Sequence, residues 1–342
     1  PNDEPPTWLP SAVSVVNSAL RQRLAPDDPY VTISEAPAWR ALERLEQIHP
    51  REAHHALRAA AGFAPIPHGP RVARWLTENR AHFVAPLELD LAREPLVVLD
   101  LSVGSLALGA DPQAAGSEEL ARSVAAECAR IGARAALGRY DEVRLLYTAP
   151  LFAGARANDE RRTLHVGLDL FVPAGSVVRA PLAGRVHALA NQPAAQDYGG
   201  VVVLEHATDA GERFFTLYGH LAPAALAALA AGQPLAAGAS FARVGTYAEN
   251  GGWAPHLHFQ LLLDDLGRGA DQPGVARASE RTLATSLFPD PNLLLGIPEE
   301  RFPPREPAKE ELLAERRARI VPNVRLAHRP DPLDVRRGWR TQ

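Results

Sequence analysis

The sequence is poor in sulfur and in lysine: its 342 residues include no methionine and one cysteine, Cys128, and the only lysine is Lys309. A lone cysteine cannot form a disulfide within the chain, so the fold does not depend on an oxidising compartment. We expect Cys128 to be a buried helical thiol, because free cysteine behaves mostly as a small hydrophobic residue. Because the chain does not begin with methionine, we also expect it to be an excerpt of a longer protein.

Long apolar runs and strong net charge are absent as well. No segment approaches the ~18 consecutive apolar residues of a membrane-spanning helix, and the first ten residues lack the cationic and apolar regions of a secretory signal. A net charge of -4 gives no electrostatic case for nucleic acid or an anionic membrane. We therefore expect a cytoplasmic rather than an exported protein, which binds neither nucleic acid nor a membrane.

The first 140 residues are predicted to be helical and then α/β. Apolar spacing and a high content of Ala, Leu and Arg predict helices at residues 11–20 and 36–62. A helix near 70–82, a strand near 95–103 and a helix near 117–136 are predicted to follow. His54 and His55 are adjacent on the second helix and point in different directions, so we expect surface or capping roles and no shared metal.

From residue 141, short apolar runs alternate with Gly, Pro and Asn, a spacing typical of a compact all-β domain. This pattern ends near residue 298, where a charged linker with a short helix begins. The predicted fold class is therefore α+β and multidomain. Four regions are predicted: a helical segment at 1–63, a small α/β region at 64–140, an all-β domain at 141–298 and a linker at 299–342.

Three short motifs in the all-β region carry the candidate chemistry. The first, "HVGLD" at residues 165–169, places His165, Gly167 and Asp169 on one face of a strand. A fully extended strand would separate His165 from Asp169 by ~13 Å, so a shared metal ion requires a bend, which Gly167 can supply. The alternative is the exposed polar face of a half-buried strand.

The second motif, "PHLHF" at residues 255–259, places His256 and His258 on one strand face, ~6.6 Å apart along the strand. One imidazole can then ligate a metal while the other handles protons, and the alternative is a solvated strand face. The third motif, "YGHL" at residues 218–221, adds His220. Its alternative role is a strand-end histidine that is hydrogen-bonded to the backbone.

Together the motifs supply more than each does alone. Two histidines and an aspartate offer three N/O ligands and leave a fourth position for water, which is the layout of a catalytic zinc site. Two further histidines nearby could accept and donate protons. For the histidines outside the motifs we expect surface or local hydrogen-bonding roles: His49, His68, His82, His187, His206 and His328.

These motifs, in this order, resemble those of the LytM/lysostaphin-type zinc metallopeptidases, which cut peptide cross-bridges in bacterial cell walls. The resemblance covers residues 141–298 and implies a β-sandwich like the duplicated hybrid motif. It also implies that His165, Asp169 and His258 bind one Zn2+ per chain and that His220 and His256 are catalytic. The segment before "PHLHF" departs from the family: it reads "ENGGWA", where the family more often has a short Ser/Thr-Gly sequence. The resemblance therefore implies the metal site more directly than the substrate.

The flanking segments resemble two other families. Within 1–63, "LPSAVSVVNSALRQR" and "YVTISEAPAW" are similar to the C-terminal tail of an aminoglycoside-phosphotransferase-type kinase domain. Within 299–342, "VPNVRLAHRPDPLDVRRGWRTQ" is similar to the lead-in of a class III aminotransferase. The chain thus resembles the middle of a bacterial phosphotransferase–metallopeptidase–aminotransferase fusion. On this resemblance, kinase and aminotransferase domains are partners in the parent chain, and pyridoxal phosphate belongs only to an absent neighbouring domain.

We therefore expect a zinc-dependent endopeptidase that acts on peptidoglycan-type cross-bridges or related small peptides. The alternative is a non-catalytic binding or regulatory module within a larger kinase–aminotransferase enzyme. A lipoyl or biotin carrier would need a lysine at a hairpin tip, and Lys309 lies far outside the all-β region. A phosphohistidine carrier would leave Asp169 unexplained. A degenerate peptidase would typically have lost ligands, whereas all of them are present here.

Overall fold

The computed structural model describes residues 9–303, apart from residues 27, 29, 31, 32, 34, 47, 104, 106–116 and 155–158. Lys309, His328, the whole predicted aminotransferase lead-in and part of the "YVTISEAPAW" segment therefore lie outside the described residues. Within the described ranges, no helix combines the length and the apolar character needed to cross a membrane.

Helices occupy most of the described N-terminal region: α1 (Leu9–Leu24), α2 (Glu35–Glu46), α3 (Pro50–Ala60) and α4 (Gly69–Asn79). The single helix predicted at 36–62 is thus two helices. Proline lacks an N–H and fits the first turn of a helix better than its interior, so Pro50 begins α3. The His49 side chain caps the new helix by accepting the Arg51 backbone N–H at 3.2 Å.

A strand–helix–strand unit follows: β1 (Leu96–Leu99), α5 (Ser117–Ile131) and β2 (Ala135–Gly138). The helix predicted at 117–136 ends earlier, because Gly132 adopts a φ of 68°, which terminates a helix. The two strands pair in parallel. Cys128 lies on α5, is not in a disulfide and is half-buried, which is less burial than expected.

The remaining elements are short. The strands are β3 (Glu142–Val143), β4 (Arg162–His165), β5 (Leu168–Phe171), β6 (Val177–Arg179), β7 (Gly184–Gln192), β8 (Gly199–Ala207), β9 (Arg213–Leu221), β10 (Pro234–Leu235), β11 (Ser240–Arg243), β12 (His256–Leu262) and β13 (Val275–Arg277). The helices are α6 (Pro223–Leu226), α7 (Arg281–Leu287) and α8 (Asn292–Leu295), with 3-10 turns at Arg80–His82, Pro150–Phe152, Ala278–Glu280 and Glu299–Arg301.

Eight of these strands form one sheet in the order β1-β2-β5-β12-β9-β8-β7-β10. Two smaller sheets have the orders β11-β6 and β13-β4-β3. Strand β2 pairs antiparallel with β5, so the 64–140 region adds two strands to the sheet that holds the candidate site. The chain therefore has mixed helical and β content with a β-rich C-terminal part, whereas the four domain boundaries stay predictions.

Strand β12 lies in the middle of this sheet and is buried along its whole length. Its apolar side chains Leu257, Phe259 and Leu261 belong to the main hydrophobic core. Burial of each such side chain stabilises the fold by about 1.5–3 kcal/mol. Successive residues of a strand alternate between faces, so the polar side chains of His256 and His258 share the opposite face. A buried polar row in a central strand requires partners, and these define the candidate site.

Candidate metal centre

Two strands from different sheets position the "HVGLD" residues. His165 ends β4, which pairs with β3 and β13, and Asp169 lies in β5, which pairs with β2 and β12. The chain therefore turns between the two residues, as chelation requires. Gly167 is needed at this turn for space: a Cβ there would lie 2.5 Å from Cε1 of the His258 ring.

Strand pairing brings the two motifs together. His258 on β12 is the direct cross-strand partner of Asp169 on β5. The His165 Nε2, Asp169 Oδ1 and His258 Nδ1 atoms are then 3.1 Å from one another in all three pairs. The three residues are 1%, 3% and 3% exposed, so bulk water does not screen the electrostatic interactions among them.

Hydrogen bonds fix which ring nitrogens face this triangle. His165 Nδ1 donates to the Arg139 carbonyl at 2.8 Å, so the neutral ring directs its Nε2 lone pair inward. His258 Nε2 lies 2.9 Å from Gln260 Oε1, and the Gln260 amide nitrogen donates to the Pro273 carbonyl. The Gln260 oxygen is therefore an acceptor, and His258 directs its Nδ1 lone pair inward.

This arrangement fits a zinc ion. Three lone pairs converge with no proton between them, which is repulsive unless a cation is present. Ligand atoms 2.0–2.2 Å from a tetrahedral ion lie about 3.3–3.6 Å from one another, close to the observed spacing. Burial, with a further contribution from Arg144, lowers the pKa of His165 to about 4, so its ring is neutral at pH 7 and able to ligate a metal. Within the described residues, His165, Asp169 and His258 form the one group of three or more such side chains with metal-ligand spacing.

A buried guanidinium holds the second oxygen of the aspartate. Arg144 Nη1 donates to Asp169 Oδ2 at 2.6 Å, and Arg144 Nε donates to Glu142 Oε2 at 2.8 Å. Burial alone would raise the pKa of Asp169, but His165 when it is protonated, together with Arg144, outweighs burial and holds this pKa well below the usual value. Arg144 also donates to the Arg139 carbonyl that accepts from His165, so one side chain orients two of the three candidate ligands.

The other two motif histidines lie beside the triangle. Each donates from Nδ1 to a backbone carbonyl, His220 to Asn250 at 3.1 Å and His256 to Ala254 at 2.6 Å. The Nε2 lone pair of each neutral ring is therefore free to accept a proton. Their ring centroids are 4.2 Å apart, and His256 Nε2 lies 3.7 Å from Asp169 Oδ1. Burial lowers the pKa of both rings, which keeps them neutral at pH 7.

His220 carries a strained backbone. Its φ is 63°, in the left-handed region that non-glycine residues rarely adopt. Such a conformation costs about 1–3 kcal/mol and persists only where the surrounding structure enforces it. Here the neighbouring backbone enforces it, because the His220 N–H donates to the Tyr198 carbonyl and its own carbonyl accepts from Gly245.

The "ENGGWA" segment positions part of the site. The Asn250 amide is fully buried and bonds to both the N–H and the carbonyl of Trp253, at 3.0 Å each. The backbone carbonyl of Asn250 accepts the hydrogen bond from His220 Nδ1. The departure from the family pattern thus lies in a loop that holds one catalytic candidate and one aromatic side chain of the cavity wall.

All five predicted site residues line one cavity of about 500 Å³. One wall is apolar and includes Tyr147, Phe152 and Trp253, whose rings pack against one another with centroids 4.9–6.0 Å apart. The cavity also has a polar wall, which is formed by Glu52, Arg162, Gln192, Asp197, Tyr198, Arg268, Asp271, Gln272, Arg277 and Glu280. A cavity of this size is typical of small-ligand sites, which are about 300–1,000 Å³.

Sequence reasoning missed the supporting residues. Gln260 could have been found, since it lies two residues after His258 on the same strand face. Arg144 and Glu142 carried a weaker signal, two charged residues in an otherwise apolar strand-like run, and their distance from the motifs gave no hint of contact with Asp169.

Two of the histidines outside the motifs, His187 and His206, form hydrogen bonds to residues 10 to 78 positions away in the sequence. His187 bonds to Asp265 and His206 to Thr216 and the Ala183 carbonyl. The expectation of a surface or capping role is wrong for His55, which is 7% exposed and hydrogen-bonds to Asp264.

Comparison with known proteins finds a match to one protein family over part of the chain. Residues 163–268 match Peptidase family M23. One similar solved structure is a Pseudomonas aeruginosa protein described as a candidate peptidase M23: it is 22% identical over 39% of this chain and 43% of its own, with a TM-score of 0.25. A zinc-containing peptidase from Vibrio cholerae is 28% identical over 30% of this chain and 28% of its own, with a TM-score of 0.23.

The catalytic domain of the antimicrobial peptidase lysostaphin from Staphylococcus simulans is 19% identical over 35% of this chain and 80% of its own, with a TM-score of 0.25. No curated protein matches the chain. The chain spans less than half of the first two similar structures.

Residues 163–268 of the chain therefore match Peptidase family M23. The resemblance stated from the motifs is confirmed for this range. Arg139, Arg144 and Pro273, which position the candidate ligands, lie outside it. The fusion to kinase and aminotransferase domains stays a prediction.

Proposed function

We propose that this chain is a zinc-dependent metallopeptidase that hydrolyses peptide bonds. The observation that carries the proposal is the buried triangle of two imidazole nitrogens and one carboxylate oxygen, each pair 3.1 Å apart, with all three lone pairs directed inward. The M23 match at residues 163–268 supports it. His165, Asp169 and His258 are the proposed ligands.

Such an ion, when bound, acts as a Lewis acid that polarises a carbonyl group and activates water as a nucleophile. The remaining chemistry belongs to the chain. Arg144 holds Asp169 in one orientation through the oxygen that faces away from the triangle. The carbonyl of Arg139 and the amide of Gln260 fix the tautomers of the two ligand rings.

His256 and His220 are the proposed proton carriers. Each presents an unprotonated Nε2 in the cavity wall, and each is locked by a backbone carbonyl at Nδ1. A neutral imidazole in this position can accept a proton from the attacking water and later donate it to the leaving amine. His256 is closer to the triangle, since its Nε2 is 3.7 Å from Asp169 Oδ1, and we assign it the first proton transfer.

The proposed substrates are peptidoglycan-type cross-bridges or related small peptides. The cavity accommodates a few residues of an extended peptide, and its lining offers both an aromatic wall and a polar wall. A substrate in the cytoplasm would be a small peptide or muropeptide fragment rather than an intact cell wall.

The test is hydrolysis of short peptides by the zinc-loaded chain. Pentaglycine and a D-Ala-containing tetrapeptide would be incubated with the chain, with the chain plus a chelator, and with zinc-loaded His256→Ala. We expect cleavage that is abolished by the chelator, restored by zinc, and slowed about 10²–10⁴-fold by the substitution. A zinc-loaded chain that binds these peptides without cleaving them would overturn the proposal and favour the non-catalytic binding module.

A further inference from the structure

The polar wall of the cavity carries more charge than its internal pairs neutralise. It contains three guanidinium groups and four carboxylates, so it has one net negative charge. Two pairs are internally neutralised: Arg268 with Glu52 at 2.7 Å and Arg277 with Glu280 at 2.9 Å. The unpaired groups are Arg162, Asp197 and Asp271, none of which forms an ion pair within 4.0 Å among the described residues.

The same wall contains buried hydrogen-bonding atoms without partners. In the described part of the chain, Tyr198 Oη, Gln192 Oε1 and Gln272 Oε1 have no hydrogen-bond partner. Tyr198 and Gln272 are only 8% and 3% exposed. A buried polar atom without a partner costs about 1–3 kcal/mol, so such atoms at a cavity wall point to a ligand that completes them.

The orientation of the glutamines shows which kind of ligand they lack. The Gln272 amide nitrogen donates to the carbonyls of Asp265 and Gly269, and the Gln192 amide nitrogen donates to the carbonyl of Ala270. These bonds leave the amide oxygens free, and an amide oxygen can only accept. The missing partner is therefore a hydrogen-bond donor.

Gly274 leaves room for the Tyr198 hydroxyl at the wall. A Cβ at Gly274, which also lines the cavity, would lie 2.4 Å from this hydroxyl and 3.2 Å from Cε1 of the His258 ring. The hydroxyl is therefore close to a candidate zinc ligand. A ligand group that donates hydrogen bonds to the free oxygens of this wall would therefore lie next to the proposed site of hydrolysis.

We propose that the polar wall is a subsite for an ammonium group of the substrate, bound by Asp197, Asp271 and the free oxygens of Gln192 and Gln272. An ammonium ion carries three N–H donors and one positive charge, which matches the missing donors and the excess negative charge. The proposal rests on the proposed function, because it names the class of peptide that this site takes: one with a free amino group near the scissile bond.

The test compares three ligands that each contain three glycine residues. Triglycinamide carries one ammonium group, N-acetyl-triglycinamide is neutral, and N-acetyl-triglycine carries one carboxylate. Calorimetric titration of the full chain carrying His256→Ala, in the presence of zinc, measures binding with greatly reduced turnover. We expect triglycinamide to bind about tenfold more tightly than the neutral ligand, because charge-assisted hydrogen bonds are the stronger ones. N-acetyl-triglycine is expected to bind most weakly.

Two further variants locate the effect. The double substitution Asp197→Asn and Asp271→Asn removes two charges but keeps the Asp197 side-chain oxygen that accepts from the Tyr198 N–H. It should reduce the preference for triglycinamide to about twofold or less. Glu88→Gln is the matched control, since Glu88 is an exposed carboxylate that does not line this cavity, and it should leave the preference unchanged.

Equal binding of the charged and neutral ligands, no binding of any of them, or a preference that survives the Asn substitutions would overturn the subsite. The proposed function fails in a different way. If the wild-type chain cleaves no peptide but the preference is present and is lost in the Asn variant, the subsite stands and the peptidase activity does not.

Discussion

The candidate metal centre and a second His–Asp cluster in the same molecule are built from the same residue types, but their side chains are oriented differently. The second cluster, here the docking cluster, joins α3 to β7 and to the residues after β12. Like the metal centre it contains two histidines and aspartate carboxylates close together. Its members are Arg51, His55, His187, Asp264 and Asp265.

In the docking cluster every aspartate already has a cationic partner. Arg51 pairs with Asp264 at 2.8 Å and with Asp265 at 3.4 Å. His55 faces oxygen at both ring nitrogens, the Pro65 carbonyl and the Asp264 carboxylate, so it acts as a donor. His187 faces Asp265 at 2.9 Å.

In the metal centre the lone pairs face one another, whereas in the docking cluster N–H groups face oxygens. The first arrangement needs a cation and the second does not. Composition alone therefore does not identify a metal site; the hydrogen bonds on the far side of each ring do.

The largest expected contrast is in metal binding. His165→Ala and Asp169→Ala should weaken zinc binding by more than the about 10–100-fold typical of a change in a supporting residue, because each removes a ligand atom. Asp264→Ala, in the docking cluster, should retain one equivalent of zinc per chain. Metal content after dialysis measures this, and full occupancy in either metal-centre variant would remove the basis of the ligand assignment.

The next contrast concerns proton transfer. His220→Ala and His256→Ala should keep zinc but lower kcat by about 10²–10⁴-fold, because their free Nε2 atoms are the proposed proton carriers. His187→Ala should leave kcat unchanged, since His187 is bonded to Asp265 outside the cavity. The measurement is peptide hydrolysis with metal content determined on the same samples. Equal rates in all three variants would contradict the assignment.

The two arginines provide a contrast in stability. Arg144→Met should lower the free energy of unfolding by about 3–5 kcal/mol, because it leaves Asp169 and Glu142 buried without their cation. Arg51→Met should cost about 1 kcal/mol or less, since the Arg51 side chain is 47% exposed. Urea denaturation of both variants, metal-free, tests this. Similar losses for the two would show that burial does not separate the regions.

The smallest effect is a pH dependence from His206, a buried histidine in neither cluster. Burial lowers its pKa to about 4, below the ordinary value of 6.5. The stability from its neutral ring is fully present above pH 6.5 and is lost as the pH falls towards 4, up to about 3 kcal/mol. The free energy of unfolding of His206→Asn should therefore fall less than that of the wild type between pH 7 and 4. Parallel curves would contradict this.

Much of the site could be predicted because its geometry is local. Period-two alternation places His256 and His258 on one face, and "HVGLD" needs a bend that the structure has. The structure brings these residues together with His220, while their roles stay proposals. The M23 match covers the same motifs.

The features of the site that could not be predicted depend on contacts between distant parts of the chain. The pairing of Gly138 with Asp169 brings β2 and the adjacent Arg139 to the site, and no local pattern encodes that register. The burial of His55 likewise depends on Asp264, 209 residues away. The helix ends were missed for a different reason: Pro50 and Gly132 interrupt patterns whose apolar periodicity continues past them.

The most direct test of the metal centre is X-ray absorption at the zinc edge on the zinc-loaded chain. We expect one bound zinc with two imidazole nitrogens and oxygen ligands at about 2.0–2.2 Å, and no sulfur. A coordination shell with one imidazole or none, or with the Cys128 sulfur, would contradict it.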